Sequence, residues 1–271
     1  MRTRDGLTLH THRWRAGGRP RASLVLVHGI AEHAARHDHV ARRFADAGIE
    51  TYAMDLRGFG RSGGPRAYLD RWSRYLDDVE DQIAAVRADA PGLPLILYGH
   101  SMGGLIALGY VLADPPRPLP DVLVLSAPAI AATVPGWKRI AASVIGRLAP
   151  RFALTNSFTP GALSHDPQVG IAYRADPLAT HRTTARLGSE LLREQTRVQA
   201  RLAALDALPV PTYVLHGEDD PIVPVWATAT LEGKKNVTRR VYPGLVHEMH
   251  NELESAQVIA DTQAFLERQL R

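Results

Sequence analysis

The stretch from Leu93 to Val111 constrains this chain more than any other. Leu93-Pro94-Leu95-Ile96-Leu97-Tyr98 is a wholly apolar run, and the chain then turns through Gly99-His100-Ser101-Met102-Gly103 into a helical pattern carrying Leu105, Ile106, Leu108 and Val111. A strand that is apolar on both faces belongs inside a sheet covered by helices on both sides, as in parallel α/β architectures. The turn between strand and helix is tight, and glycines on either side of Ser101 let the two elements approach closely around it.

The rest of the chain repeats that grammar. Leu24–Val27, Val122–Leu125 and Thr212–Leu215 read as further buried strands, and Ile49–Met54 and Thr238–Tyr242 complete the parallel set. Thr8 to Trp14 alternates as a strand with one exposed face should. Residues 36–47, 73–89, 102–113 and 252–270 have helical spacing and few breakers. The expectation is a mostly parallel sheet flanked by helices, in one body of residues 1–127 and 206–271.

Residues 128–205 break the alternation and read as a helical cap inserted between two strands. Trp137, Ile140, Ala141, Val144, Ile145 and Leu148 form one helix stripe, with Lys138, Arg139 and Arg147 off it. A Pro/Gly-rich stretch from Pro150 to Pro167 and a second helical segment at 187–205 follow. The stripe has two readings: packing against the core, or a lid whose apolar face meets lipid or an acyl chain.

Gly99-His100-Ser101-Met102-Gly103 fits G-x-S-x-G in the strand–turn–helix setting of a nucleophile elbow, which holds a serine hydroxyl clear of the sheet. A serine hydroxyl needs a base in hydrogen-bond reach, oriented by a third group. The acid is expected from the loop Glu218-Asp219-Asp220-Pro221 after the strand at 212–215; Asp220, biased to extended backbone by Pro221, is the first choice and Asp219 the alternative. The base follows the last strand, and His247 is expected in that role, with His250 in a first helical turn. His100 reads as a packing or hydrogen-bonding residue. Oxyanion donors are expected at the backbone N–H of Met102 and, from the loop His28-Gly29-Ile30, at that of Ile30. Acyl transfer by such a set needs no cofactor and no metal.

Other signals exclude more than they add. The absence of cysteine rules out disulfides, thiolate metal sites and a cysteine nucleophile. The net charge of +4 comes mostly from scattered arginines without a block of like charges, so nucleic acid is not an expected partner. His33, His37, Asp38 and His39 have spacings a metal could use, although solvated or locally hydrogen-bonded histidines at a helix start is the plainer reading. Arg57 to Gly64 is glycine-rich but lacks the G-K-[ST] of a phosphate loop and reads as a tight loop near the site's rim. No apolar leader or spanning run is seen, so a cytoplasmic location is expected.

His28-Gly29-Ile30-Ala31-Glu32-His33 with Arg36, Asp55-Leu56-Arg57-Gly58-Phe59-Gly60-Arg61-Ser62, Gly99 to Gly104, Leu163 to Pro167 with Tyr173, Asp176-Pro177-Leu178, Gly217 to Asp220 and Tyr242 to His247 together resemble the monoacylglycerol lipase and lysophospholipase branch of the α/β hydrolases. The resemblance runs from about residue 5 to residue 268. It implies the α/β-hydrolase fold, Ser101, Asp220 and His247 as a triad, and Ile30 and Met102 as oxyanion donors. It also implies a cap forming an apolar tunnel for one acyl chain, and hydrolysis of a lipid or ester substrate, first a monoacylglycerol. Lysophospholipase, short-chain esterase, peptidase or thioesterase activity are the alternatives, and a non-catalytic small-molecule binder is the reading from another class. Two positions depart from the pattern: His37 stands where a tyrosine is usual and Phe59 where a histidine is common.

Overall fold

The computed structural model of the chain describes residues 1–156 and 158–270, with Pro160 described by its backbone alone. Ser157 and Arg271, at the edges of expectations stated above, lie outside the described residues. Among the described residues the strands are β1 (Thr11–Trp14), β2 (Ala22–Val27), β3 (Ile49–Met54), β4 (Leu95–His100), β5 (Val122–Ser126), β6 (Ala153–Thr155), β7 (Arg182–Thr184), β8 (Ala207–Gly217) and β9 (Lys235–Tyr242). Seven of them form the central sheet in the order β1-β3-β2-β4-β5-β8-β9. Only β1 runs antiparallel to its neighbour. Every residue of β2 to β5 is buried, as strands covered on both faces should be.

The period-two geometry of these strands divides their side chains between two cores. Val25, Val27, Leu97, Leu123 and Leu125 point to one side, where α2 (Ser73–Asp89) and α3 (Met102–Val111) supply Tyr75, Val79, Ile83, Leu105 and Leu108. Leu24, Leu26, Ile96, Tyr98 and Val124 point to the other, against Val40 and Phe44 of α1 (Asp38–Asp46) and Val258, Phe265 and Leu266 of α8 (Ser255–Gln269). Helix α3 is apolar all round and all ten of its residues are buried, which fixes the turn that precedes it in the middle of the molecule.

Between β5 and β8 the chain leaves the sheet. It forms α4 (Gly136–Leu148), the hairpin of β6 with β7, α5 (Pro160–Leu163), α6 (Pro167–Ala175) and α7 (Ala185–Ala203). Helix α7 buries Leu187, Val198 and Leu202 in the same core as α3. Helix α4 meets α7 through Gly146, where an added Cβ would lie 2.9 Å from Ser189 Cβ. The expected stripe on α4 does not face the core. Trp137 and Ile140 are each 68% exposed and Leu148 82%, so the core-packing reading of that stripe is corrected.

Two elements differ from expectation for identifiable reasons. Strand β8 starts at Ala207 rather than near Thr212, with a break in register between those residues where Pro209 and Pro211 cannot donate to the ladder. The Pro-rich stretch contains β6 and α5 and ends where α6 begins, at Pro167 behind Asp166, whose side chain accepts from the Gln168 amide at 2.9 Å. Among the described residues, no helix is long and apolar enough to cross a membrane.

Candidate active site

Ser101 occupies the turn between β4 and α3 with φ +52° and ψ −119°, a left-handed φ that a residue with a Cβ rarely adopts. The surrounding structure holds the strain. The Ser101 N–H donates to Ser126 O at 2.9 Å, and its carbonyl accepts from Gly104, Leu105 and Ala129. The approach of the loop after β2 is equally close. A Cβ on Gly29 would fall 2.7 Å from Glu32 Oε1 and 3.1 Å from Ser101 Cβ, so only glycine fits there.

His247, in the loop after β9, hydrogen-bonds through Nδ1 to Asp220 Oδ2 at 2.7 Å. Asp220 Oδ1 accepts from the amides of Ile222 at 2.8 Å and Val223 at 2.9 Å, the turn that Pro221 imposes. Asp219 and Glu218 are exposed, whereas Asp220 is 6% exposed. Burial alone would raise the Asp220 carboxyl. The charge of His247 and hydrogen bonds from His216, His247 and the Val223 amide outweigh it and hold the group below the usual carboxylate range. Burial likewise pulls His247 down, but the charge and hydrogen bond of Asp220, with Glu248 and Glu32, raise it above its ordinary 6.5. An ionised Asp220 accepts a hydrogen bond from Nδ1–H, which holds His247 in the tautomer whose Nε2 keeps a free lone pair.

Ser101 and His247 line one small cavity with Ile30, Phe158, Leu163 and Tyr173. Its free volume is about 20 Å³, enough for water and far too little for an acyl chain. Among the described residues, the N–H groups of Ile30 and Met102 have no hydrogen-bond acceptor within the protein. Both residues border Ser101, Ile30 in the loop after β2 and Met102 at the first position of α3.

Several supporting residues were not visible from sequence reasoning. Glu32, 4% exposed, accepts from the Gly29 N–H at 2.5 Å and so anchors the loop that carries the Ile30 amide. Burial would raise Glu32, but His37 first, then His100 and Arg36, keep it well below its ordinary value. Arg36 Nη2 also donates to both carboxylate oxygens of Glu248 at 2.8 Å, joining the loop after β2 to the loop that carries His247. Glu252 accepts from the amides of Val246 at 3.0 Å and His165 at 2.9 Å, which ties the β5–β8 insertion to the same loop. Buried acids of this kind give only a weak sequence signal; the one available was Glu32 three residues after a loop glycine.

His33, His37, Asp38 and His39 do not converge. His33 pairs with Asp176 at 2.7 Å, His37 with Glu32, Asp38 with Trp14 and Arg42, and His39 with the His250 carbonyl. His37 belongs instead to a stack of buried rings behind the cavity: His37 to His250 4.8 Å, His250 to His100 4.8 Å and His100 to His247 4.9 Å. Burial keeps His100 and His250 well below their ordinary value, so both are neutral, and His250 sits in a helical turn as expected. His100 packs and hydrogen-bonds, at 3.3 Å from Ser126 Oγ. Phe59 stands edge-on to His28 at 6.0 Å, beside the loop after β2.

Comparison with known proteins gives the chain a family. Residues 18–254 match the family model described as serine aminopeptidase, S33. The chain belongs to this family. Among its S33-like relatives, a monoacylglycerol lipase of Mycolicibacterium smegmatis is 39% identical over 259 residues, covering 93% of this chain and 90% of that protein. The human monoglyceride lipase is 31% identical over 92% of this chain and 82% of its own length. Among solved structures, a monoacylglycerol lipase from Paleococcus ferrophilus superposes with a TM-score of 0.81 at 26% identity, covering 97% of this chain and 98% of that one. A yeast monoglyceride lipase at 20% identity, TM-score 0.86, shares the fold, covering 98% and 92%. The chain thus has the α/β-hydrolase architecture, with the fold of these solved structures.

Proposed function

We propose that the protein is a serine ester hydrolase acting on monoacylglycerols, with Ser101, Asp220 and His247 as its triad. The pairing of His247 with a buried, ionised Asp220 beside a strained Ser101 carries the reaction type. The likeness to monoacylglycerol lipases over nearly the whole chain supports the substrate. Ser101 Oγ attacks the ester carbonyl carbon while His247 Nε2 takes its proton. The oxyanion accepts from the N–H groups of Ile30 and Met102, where no donor must reorganise. Collapse breaks the bond to the alkoxy oxygen, which leaves with the proton from His247. Water, deprotonated by His247, then releases the fatty acid and restores Ser101.

Residues 128–205 act in this reading as the cap over a core of residues 1–127 and 206–271. Phe158, Leu163 and Tyr173 come from it and close the cavity, so a glyceride enters by displacing the cap. The exposed stripe on α4, with Phe152, Leu154 and Ile171 also exposed in the same insertion, offers apolar surface suited to transient contact with a membrane or micelle. The enzyme works from the cytoplasm and meets its lipid at that surface.

The test is a hydrolysis panel of monoacylglycerols of increasing chain length, p-nitrophenyl esters, diacylglycerol and lysophosphatidylcholine, with Ser101→Ala as the blank. Monoacylglycerol turnover well above that of diacylglycerol, falling by about 10⁶ in kcat in the variant, is expected. Activity confined to short p-nitrophenyl esters reduces the assignment to a carboxylesterase, and preference for lysophosphatidylcholine moves it to a lysophospholipase. Near-parental activity in Ser101→Ala overturns it.

A further inference from the structure

The antiparallel pairing of β1 with β3 places two histidines and a carboxylate together on the edge of the sheet. His12 stands opposite Ala53, and the Asp55 amide donates to the His10 carbonyl at 2.9 Å, so His10 and Asp55 are cross-strand neighbours. With a side-chain period of two, His10, His12 and Asp55 share one face, and Ala53 leaves space among them. One ring nitrogen from each histidine and one carboxylate oxygen of Asp55 lie within 4.8 Å of one another. Among the described residues, no other three His, Cys, Asp or Glu groups are gathered in this way.

Two further observations point to a cation there. His12 Nε2 is shielded from solvent without a hydrogen-bond partner, although it faces Asp55 Oδ1 at 3.4 Å. That separation already suits two ligands of one tetrahedral Zn²⁺, which at bond lengths near 2.0–2.1 Å stand roughly 3.3 Å apart. The carboxylate is oriented from behind. Asp55 Oδ1 accepts from the Ala34 amide and Oδ2 from the Arg61 amide, each at 2.9 Å, which leaves lone pairs toward the histidines. His10, partly exposed, offers the third ligand atom within the same 4.8 Å.

The geometry points to a binding site for one divalent first-row transition ion, Zn²⁺ in the first instance, held by His10, His12 and Asp55 with its remaining position open to water. Two imidazoles and one carboxylate suit Zn²⁺, Cu²⁺ or Ni²⁺ and disfavour Mg²⁺ and Ca²⁺, which take oxygen ligands. The bound ion clips the edge strand β1 to Asp55, whose amide contacts hold both the chain after β2 and the loop after β3. Its role is structural and independent of the ester chemistry.

The test uses full-length protein stripped with a chelator, then titrated with Zn²⁺ against a chromophoric chelating dye. One equivalent withdrawn from the dye, and undisturbed by excess Mg²⁺, is expected. The His10→Ala/His12→Ala double variant loses that equivalent, while its metal-free melting midpoint stays near the parent's. Should the double variant fail to fold, His12→Gln alone weakens the competition by at least about tenfold. Zn²⁺ also raises the melting midpoint of the parent and not of the variants. The site is refuted if the parent withdraws no Zn²⁺, or if the variants withdraw one equivalent as tightly as the parent.

Discussion

Helices α3 and α4 are both rich in apolar residues, and the molecule uses them in opposite ways. All ten residues of α3 are buried against the sheet and against α2 and α7, whereas Gly146 is the buried residue of the thirteen in α4. The first positions the serine; the second presents Trp137, Ile140 and Leu148 to solvent. An apolar stripe therefore states how much surface a helix must cover and leaves open what covers it. Around Ser101 the covering is the protein itself, with the buried acids held by named partners. On the insertion the covering is proposed to be lipid.

This contrast can be broken at several points. After loss of Ser101 itself, the largest effect is expected from Asp220→Asn, which keeps the shape of the site and offers His247 a side-chain amide in place of the anion. kcat should fall by about 10⁴ with little change in melting midpoint. Loss below tenfold would show that another acid orients His247.

Truncation compares the two helices directly. Leu105→Ala, at a fully buried position of α3, should cost about 2–5 kcal/mol of unfolding free energy. Leu148→Ser on α4 should stay within about 0.5 kcal/mol while lowering turnover of micellar substrate more than of monomeric substrate. Equal destabilisation by the two would mean that α4 is covered in solution, and equal turnover on both substrate forms would remove the lipid-facing role.

The gentlest probe is pH. His28, His100, His250 and His39 are all lowered by burial, so they stay neutral in the folded chain while their unfolded counterparts protonate near 6.5. Each therefore removes stability as pH falls below 6.5, by up to about 1.4 kcal/mol per pH unit. His247 is raised and works in the other direction: its contribution is present below 6.5 and lost as pH rises through its folded value. Five lowered histidines, His10 among them, against the raised His247 and the Asp78 carboxyl that burial pushes up to about 6, predict a lower urea midpoint at pH 5.5 than at pH 7. Asp220, held below the carboxylate range, adds its own loss only below about pH 4. An unchanged midpoint would mean that the buried histidines are charged in the native state.

Much of this was legible in the sequence because parallel strands are apolar on both faces and leave continuous runs. Leu95–His100 and Val122–Ser126 were bounded to within two residues for that reason. Ser101 stood out because it follows such a strand, and His247 because it lies between the last strand and the C-terminal helix. Asp219 and Asp220 could not be separated by pattern, since only the folded turn at Pro221 buries one of them and exposes its neighbour. Helix α6 was hidden because Pro167 was weighed as a breaker, whereas behind Asp166 it is a helix start. Glu32 and Arg36 were legible as motif residues, but their role went unassigned because Glu248 lies 212 residues from Arg36, and no local pattern reports so distant a pair.

The insertion departs after β5 and returns into β8, and those two strands are hydrogen-bonded neighbours, paired from Leu123↔Thr212 to Ser126↔Leu215. Its two roots are therefore fixed by adjacent rungs of the sheet, whatever lies between them. A different insertion could be grafted at the same two points, and Ser101, Asp220 and His247 would keep their places on the sheet. Descent can thus exchange the door of such an enzyme while inheriting its chemistry unaltered.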